Sequence, residues 1–159
     1  MNRLWAPWRI GYIKSMKKEK GCLFCRLFKE KKDRKNYVLL RSRHSFCLLN
    51  LYPYNNGHLM VAPAKHVASL ELLDDDELCD LMAMVKKMKI LLDRVLKPQG
   101  YNIGLNIGRS AGAGFDRHIH VHIVPRWPGD INFMTTVSST RIISQSLDAL
   151  YKELVKNLP

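Results

Sequence analysis

Between His118 and Val124 the chain reads His118-Ile119-His120-Val121-His122-Ile123-Val124, three histidines at alternate positions with aliphatic residues between them. A β-strand sends successive side chains to opposite faces, so this spacing puts all three imidazoles on one side and Ile119, Val121 and Ile123 on the other. The segment therefore calls for a sheet with one apolar face buried and one face carrying imidazoles. Imidazole titrates near neutrality, binds metals as the neutral ring and can act as a nucleophile. Packing alone gives no reason for three of them on one face. The active site is expected here.

The flanking pattern completes the sheet. Residues 37–41 and 45–50 read as two strands joined by a hairpin around Arg43-His44, and residues 53–57 as a loop by their turn residues. Residues 58–62 read as a core strand stopped by Pro63. From Asp74 the period changes: Leu78, Leu81, Met82, Val85, Met88, Leu92 and Val95 recur at steps of three and four, which predicts a long amphipathic helix. The acidic run from Asp74 to Glu77 caps its start, and Pro98 and Gly100 stop it. Residues 101–107 form a further strand and residues 108–114 a glycine-rich loop. A last helix, roughly residues 140–158, has Ile142, Ile143, Leu147, Leu150, Leu154 and Leu158 as its stripe. Residues 1–36 are an irregular, basic lead-in with a short helix near Leu27. This order of elements predicts an antiparallel α+β domain, with residues 1–159 as a single unit, rather than alternating βαβ units.

Composition narrows the partners. A chain of 159 residues with 47% hydrophobic and 25% charged residues has the makings of one ordinary globular core. No run approaches the ~18 apolar residues of a membrane span. The first residues lack the pattern of a secretory signal, so a soluble cytoplasmic protein is expected. The net charge of +12 implies attraction to anions, and thirteen of the 26 Lys and Arg fall within residues 1–41 beside three acids. That stretch is either a solvated surface or a device for steering a polyanionic ligand. Aromatic residues are not interleaved through it, so it makes a poor single-strand nucleic-acid platform.

Two of the four cysteines form Cys22-Leu23-Phe24-Cys25, which in a cytosolic setting reads as a metal knuckle or a redox pair before a disulfide. No thioredoxin-like context surrounds it. Cys47 and Cys79 are read as buried small hydrophobes. His44 falls in the hairpin turn, solvated, and His58 opens a strand next to the expected pocket. Trp5, Trp8 and Trp127 are either an adenine-stacking wall or core aromatics, the second being the simpler reading.

His118–Val124 matches the His-φ-His-φ-His-φ-φ signature (φ apolar) of the histidine-triad, or HIT, superfamily of nucleotide hydrolases and transferases. The resemblance runs from about Trp5 to Leu150 and is nearest to a bacterial branch of diadenosine tetraphosphate phosphorylases. The segments that carry it are Trp5-Ala6-Pro7-Trp8-Arg9, the Cys22–Cys25 knuckle, Gly57-His58-Leu59-Met60-Val61-Ala62-Pro63, Gly104–Gly112, Val124-Pro125-Arg126-Trp127 and Gly129-Asp130-Ile131-Asn132-Phe133. It implies a HIT-like fold, a five-stranded antiparallel sheet with two main helices, assembled as a homodimer.

It also implies a mechanism. His120 attacks the α-phosphorus of a dinucleoside polyphosphate or another adenine nucleotide, forming a nucleotidyl-histidine that inorganic phosphate or water resolves. His122 contacts the phosphoryl or bridging oxygen. Backbone amides of Gly112, Ala113 and Gly114 neutralise developing charge, Asn106 contacts phosphate and Asn50 holds the ribose. Many relatives carry Gln-Ser or Gln-Thr just before the triad, where this chain has Ala113-Gly114-Phe115-Asp116-Arg117. Arg117 or backbone amides are the candidates to replace that hydroxyl, although Arg117 alternates with His118 and so can point to the opposite face.

The resemblance further implies a structural zinc site made of Cys22, Cys25, His66 and His118, since two thiolates and two imidazoles suit a tetrahedral ion. Two other readings remain: a HIT-type phosphoramidate or dinucleoside triphosphate hydrolase, and a non-catalytic nucleotide- or RNA-binding module favoured by the charge.

Overall fold

The computed structural model describes residues 21–130 and 143–159. Five strands, β1 (Val38–Arg41), β2 (Ser45–Leu49), β3 (Leu59–Pro63), β4 (Gly100–Leu105) and β5 (Val121–Arg126), form one antiparallel sheet in the order β1-β2-β3-β5-β4. Among the described residues three helices accompany it: α1 (Leu23–Glu30), α2 (Asp75–Leu96) and α3 (Leu147–Lys156). The α+β class and the five antiparallel strands are as expected.

Each element follows from local chemistry. The β1–β2 hairpin closes through the Ser42 N–H, which donates to the Ser45 carbonyl at 2.8 Å. Both serine hydroxyls donate to one carboxylate oxygen of Asp80, at 2.5 and 2.6 Å, which ties the turn to α2. That helix opens with a capping box: the Asp74 carboxylate accepts from the Glu77 N–H, and the Glu77 carboxylate accepts from the Asp74 N–H. Such a box satisfies two otherwise orphaned donors and is worth about 1 kcal/mol. It ends at Lys97, in the left-handed conformation, just before Pro98.

The buried stripe of α2 is Leu81, Met84, Val85, Met88, Leu91 and Leu92. Met82, expected in that stripe, is instead exposed, because its position is a full residue round the helix from Leu81. Cys79 lies on the same outer face and is exposed rather than buried. Cys47, central in β2, is buried as expected. The last helix starts later than the pattern predicted. Ser146 caps it, accepting the Ala149 N–H, and residues 143–146 precede it. Ile142 and residues 140–142 lie outside the described residues, as do Trp5 and Trp8.

Two apolar clusters sandwich the sheet. The larger packs α2 and α3 against one face, on Leu39, Cys47, Leu49, Leu59, Val61, Val121 and Ile123. On the other face, α1 lays Phe24 and Leu27 over Val38, Phe46, Leu48, Met60 and Ala62. Among the described residues, no helix is long and apolar enough to cross a membrane.

Candidate active site and metal centre

The three histidines divide as the alternation requires. Ile119, Val121 and Ile123 enter the larger core, while His118 and His120 are buried on the side covered by α1. Regular pairing begins only at Val121, however, so the first two histidines precede β5. Their partner is not a strand but the segment after Pro63. The Ile119 N–H donates to the Val67 carbonyl at 2.7 Å, which sets His66 beside His118. The Phe24 ring covers the same stretch, its centroid 5.1 Å from His118 and 4.8 Å from His120.

At this end of the row the knuckle arrives from α1. Cys22 Sγ lies 3.2 Å from His118 Nδ1, Cys25 Sγ 3.3 Å from His66 Nδ1, and the two Nδ1 atoms are 3.2 Å apart. All four donor atoms fall within 4.8 Å of one another. A tetrahedral ion held by two thiolates and two imidazoles has ligand–ligand edges of about 3.3–3.7 Å. The other nitrogen of His118 strengthens the match. Its Nε2–H donates to the Pro63 carbonyl at 2.9 Å, which leaves Nδ1 as a bare lone pair facing the thiols. These four residues can hold a metal ion.

In the middle, His120 Nδ1 lies 3.0 Å from the His118 carbonyl. A carbonyl only accepts, so Nδ1 carries the proton and Nε2 keeps a bare lone pair. The residue that orients the middle imidazole is thus its own neighbour in the triad.

At the far end, His122 is oriented by His58, a contact between residues 64 positions apart. The Tyr54 N–H donates to His58 Nδ1 at 3.1 Å, and the Asn50 amide nitrogen lies 3.3 Å from the same atom. Both are donors, so His58 Nδ1 is an acceptor and its proton sits on Nε2. That Nε2–H donates to His122 Nδ1 at 2.9 Å, which leaves the His122 proton on Nε2. The Tyr54 ring flanks both imidazoles, 4.6 Å from His58 and 5.9 Å from His122. His120 and His122 therefore present opposite characters: a bare Nε2 on the first and an Nε2–H on the second.

Burial keeps the row uncharged. It pushes His58 down to about 3 and His118 and His122 down to about 4, neighbouring imidazoles adding to the effect. His120 is lowered by burial as well, partly offset by its bond to the His118 carbonyl.

The remaining expected residues lie around this row. Gly104 pairs directly with His122 and carries no side chain, so the imidazole is uncrowded on the β4 side. Asn106 directly follows Leu105, the last residue of β4, which pairs with Val121. Asn50 ends β2 with its amide oxygen accepting the Tyr52 N–H, and so sits on His58. Gly112, Ala113 and Gly114 form the loop that runs into His118. Gly112 takes φ +87° after a short 3₁₀ turn, a conformation that suits glycine. Arg109 and Asp116 tie the loop across a 2.7 Å ion pair, and Phe115 packs on Phe24. Arg117 is exposed and His44 half-buried. Trp127 is half-buried and lines a cavity of about 280 Å³ with Asn55, Asn56 and Asp130. The sequence alone did not single out Tyr54, Phe24 or the oriented role of His58. The only local signal was Gly57-His58 at a strand start.

Comparison with known proteins agrees with this geometry. The HIT domain family matches residues 31–129. An AP-4-A phosphorylase of Mycobacterium tuberculosis is 40% identical over 154 residues, covering 92% of this chain and 79% of that one. An asymmetrical bis(5'-nucleosyl)-tetraphosphatase of Schizosaccharomyces pombe is 33% identical over 120 residues, 76% of this chain and 58% of that one. Among solved structures, a hypothetical histidine triad nucleotide-binding protein of Sulfolobus tokodaii superposes with a TM-score of 0.70 at 29% identity, covering 86% of this chain and 91% of the other. With its three alternating histidines leading into β5 and the five-stranded sheet they border, this chain belongs to the HIT domain family.

Proposed function

We propose that the protein is a nucleotidyl transferase that splits diadenosine tetraphosphate by phosphorolysis, with His120 as nucleophile. The observation that carries this reading is the opposed pair of tautomers, a bare Nε2 on His120 beside an Nε2–H on His122. Transfer of a nucleotidyl group needs both. The His120 Nε2 lone pair forms a bond to the α-phosphorus while the bond to the leaving polyphosphate breaks. The departing oxygen takes that electron pair, and the His122 Nε2–H donates to it. An oxygen of inorganic phosphate then forms a bond to phosphorus, the phosphorus–nitrogen bond breaks, and its electrons return to His120. Asn106 and the amides of Gly112, Ala113 and Gly114 meet the charge on the phosphoryl oxygens, and Asn50 approaches the ribose.

Cys22, Cys25, His66 and His118 hold a zinc ion on this reading. Four protein donors leave no open position, so the ion supplies a structural cross-link rather than a reactive water. The exposed edge strand β4, with Ile103 on it, supports the homodimer that the resemblance implies. Sedimentation equilibrium reads that state directly.

The decisive experiment incubates the protein with diadenosine tetraphosphate with and without inorganic phosphate. ADP plus ATP, formed only with phosphate, is the expected result. AMP plus ATP in plain buffer moves the assignment to a hydrolase, the activity named for the fission-yeast relative. No turnover of this compound, of AMP phosphoramidate or of a dinucleoside triphosphate overturns the enzymatic reading.

A further inference from the structure

Beyond the histidine row, the segment Arg126-Trp127-Pro128-Gly129-Asp130 contains a carboxylate with an unusual number of partners for its place on a turn. Asp130 Oδ2 accepts from Arg126 Nε at 2.6 Å, from the Asn55 amide at 2.8 Å and from the Trp127 N–H at 3.4 Å. Its Oδ1 accepts from Arg126 Nη2 at 3.1 Å, and the side chain is only 10% exposed. Closing an i,i+4 ion pair at the end of a strand requires only Arg126. The Asn55 amide is the contact that a local turn does not explain, since it crosses 75 residues.

Asn55 is the hinge of the loop that orients the histidines. Its amide also donates to the Pro125 carbonyl at 3.0 Å, and its own carbonyl accepts the His58 N–H at 3.2 Å. The preceding residue, Tyr54, supplies the N–H that makes His58 Nδ1 an acceptor. Gly57 closes the loop against the fold. It has φ +77°, and a Cβ there would lie 2.5 Å from Leu96 and 3.1 Å from Pro125. The loop is therefore held from both ends, and Asp130 is its charged anchor.

We infer that Asp130 is a positioning residue for the reaction, acting through Asn55 and Tyr54 to fix the tautomers of His58 and His122. This rests on the role given to His122 above. The anchor acts at a distance because a backbone N–H aimed at an imidazole nitrogen works only while the loop holds its place. If the loop shifts, the Tyr54 N–H leaves His58 Nδ1, His58 is free to carry its proton on either nitrogen, and His122 loses the donor that keeps its own proton on Nε2. The Arg126 guanidinium also donates to the Asn102 side chain at 2.7 Å, so the ion pair is fixed from the β4 side.

The test uses the whole protein and long-range proton–nitrogen spectra of its imidazoles, which read tautomers without any substrate. In the unaltered protein at pH 7.5, His58 and His122 are both expected as single tautomers protonated on Nε2. Asp130→Asn keeps the volume but removes the charge, and Asn55→Ala removes the link while leaving the Asp130–Arg126 pair intact. Either variant is expected to give mixed tautomers at His58 and His122 and a fall in kcat of about ten- to a hundredfold, with KM changed less. Asn102→Ala, which touches only the outer side of the clamp, is expected to leave kcat within about twofold. Unchanged tautomers in a folded Asp130→Asn or Asn55→Ala protein overturn the inference, even where Tm falls. A wild-type protein with both tautomers in place but no turnover of diadenosine tetraphosphate overturns the proposed activity instead.

Discussion

His118 and His122 stand four residues apart on one face, yet the fold treats them in opposite ways. The first has its Nε2–H tied to a backbone carbonyl and its bare Nδ1 aimed at two thiols and another imidazole. The second has its Nδ1 tied to His58 and its Nε2–H left available. Between them His120 has its Nδ1–H tied to the His118 carbonyl. Identical side chains at identical spacing thus come to offer a bare Nδ1 beside two thiols, a bare Nε2 and an Nε2–H, according to which nitrogen the surroundings engage. On the proposed reading these serve as metal ligand, nucleophile and hydrogen-bond donor. Identity and spacing place the row; partners assign its roles.

The largest effect should come from the middle of the row. His120→Asn removes the proposed nucleophile while leaving the four metal-ligand side chains and the His58–His122 hydrogen bond in place, so turnover is expected to fall at least about a thousandfold. Bound metal, measured by elemental analysis, should stay at one equivalent, and the Tm should remain within a few degrees. Residual activity within tenfold of wild type would refute a covalent role for His120.

Next comes the metal end. Removing the ion with a chelator, or replacing Cys25 with Ser, takes away the link between α1 and the segment carrying His118. A loss of a few kcal/mol is expected, which for a chain of this length lowers Tm by about 10 °C. Turnover should fall too, because the carbonyl that orients His120 belongs to His118. Protein purified without added metal and holding under about a tenth of an equivalent of zinc would break the comparison at this end.

At the loop end the change is smaller. His58→Ala leaves the nucleophile and the metal ligands in place but lets His122 choose its tautomer. A drop in kcat of about ten- to a hundredfold is expected, with metal content unchanged. Loss of metal in this variant would show that the two ends are not independent.

How much of this could be read from the chain follows the same division. Period-two spacing is a local rule, so the imidazole face, the strand and the apolar backing of Ile119, Val121 and Ile123 were all legible. The knuckle was legible because only two residues separate Cys22 from Cys25, and its histidines came from the family resemblance. The partners that assign roles were not legible. The carbonyl orienting His120 could have belonged to any nearby backbone, and the His58–His122 contact joins residues from different strands. That Ile119 pairs with Val67, outside any strand, is why regular structure begins at Val121 and not at His118. The exposed Cys79 and Met82 show a milder version: helical period locates a stripe, but its centre depends on where the sheet lies.

The smallest effect is the response to acid. His58 and His122 are held at about 3 and 4, below the ~6.5 of an exposed imidazole. Above about pH 6.5 both are neutral whether the chain is folded or not, so they add no pH dependence there. As the pH falls from 6.5 towards 4, the unfolded chain binds protons that the folded one refuses, and stability declines. The slope is about 1.4 kcal/mol per pH unit for each histidine so held. Denaturant titrations at pH 7.5, 6 and 5 should therefore show a loss that steepens below 6.5. The His58→Ala protein should have a shallower slope by about one proton, since one of the imidazoles that refuse a proton is gone. Equal slopes in the two proteins would mean that His58 carries no such penalty, and would remove the charge argument for a neutral, tautomer-ordered loop end.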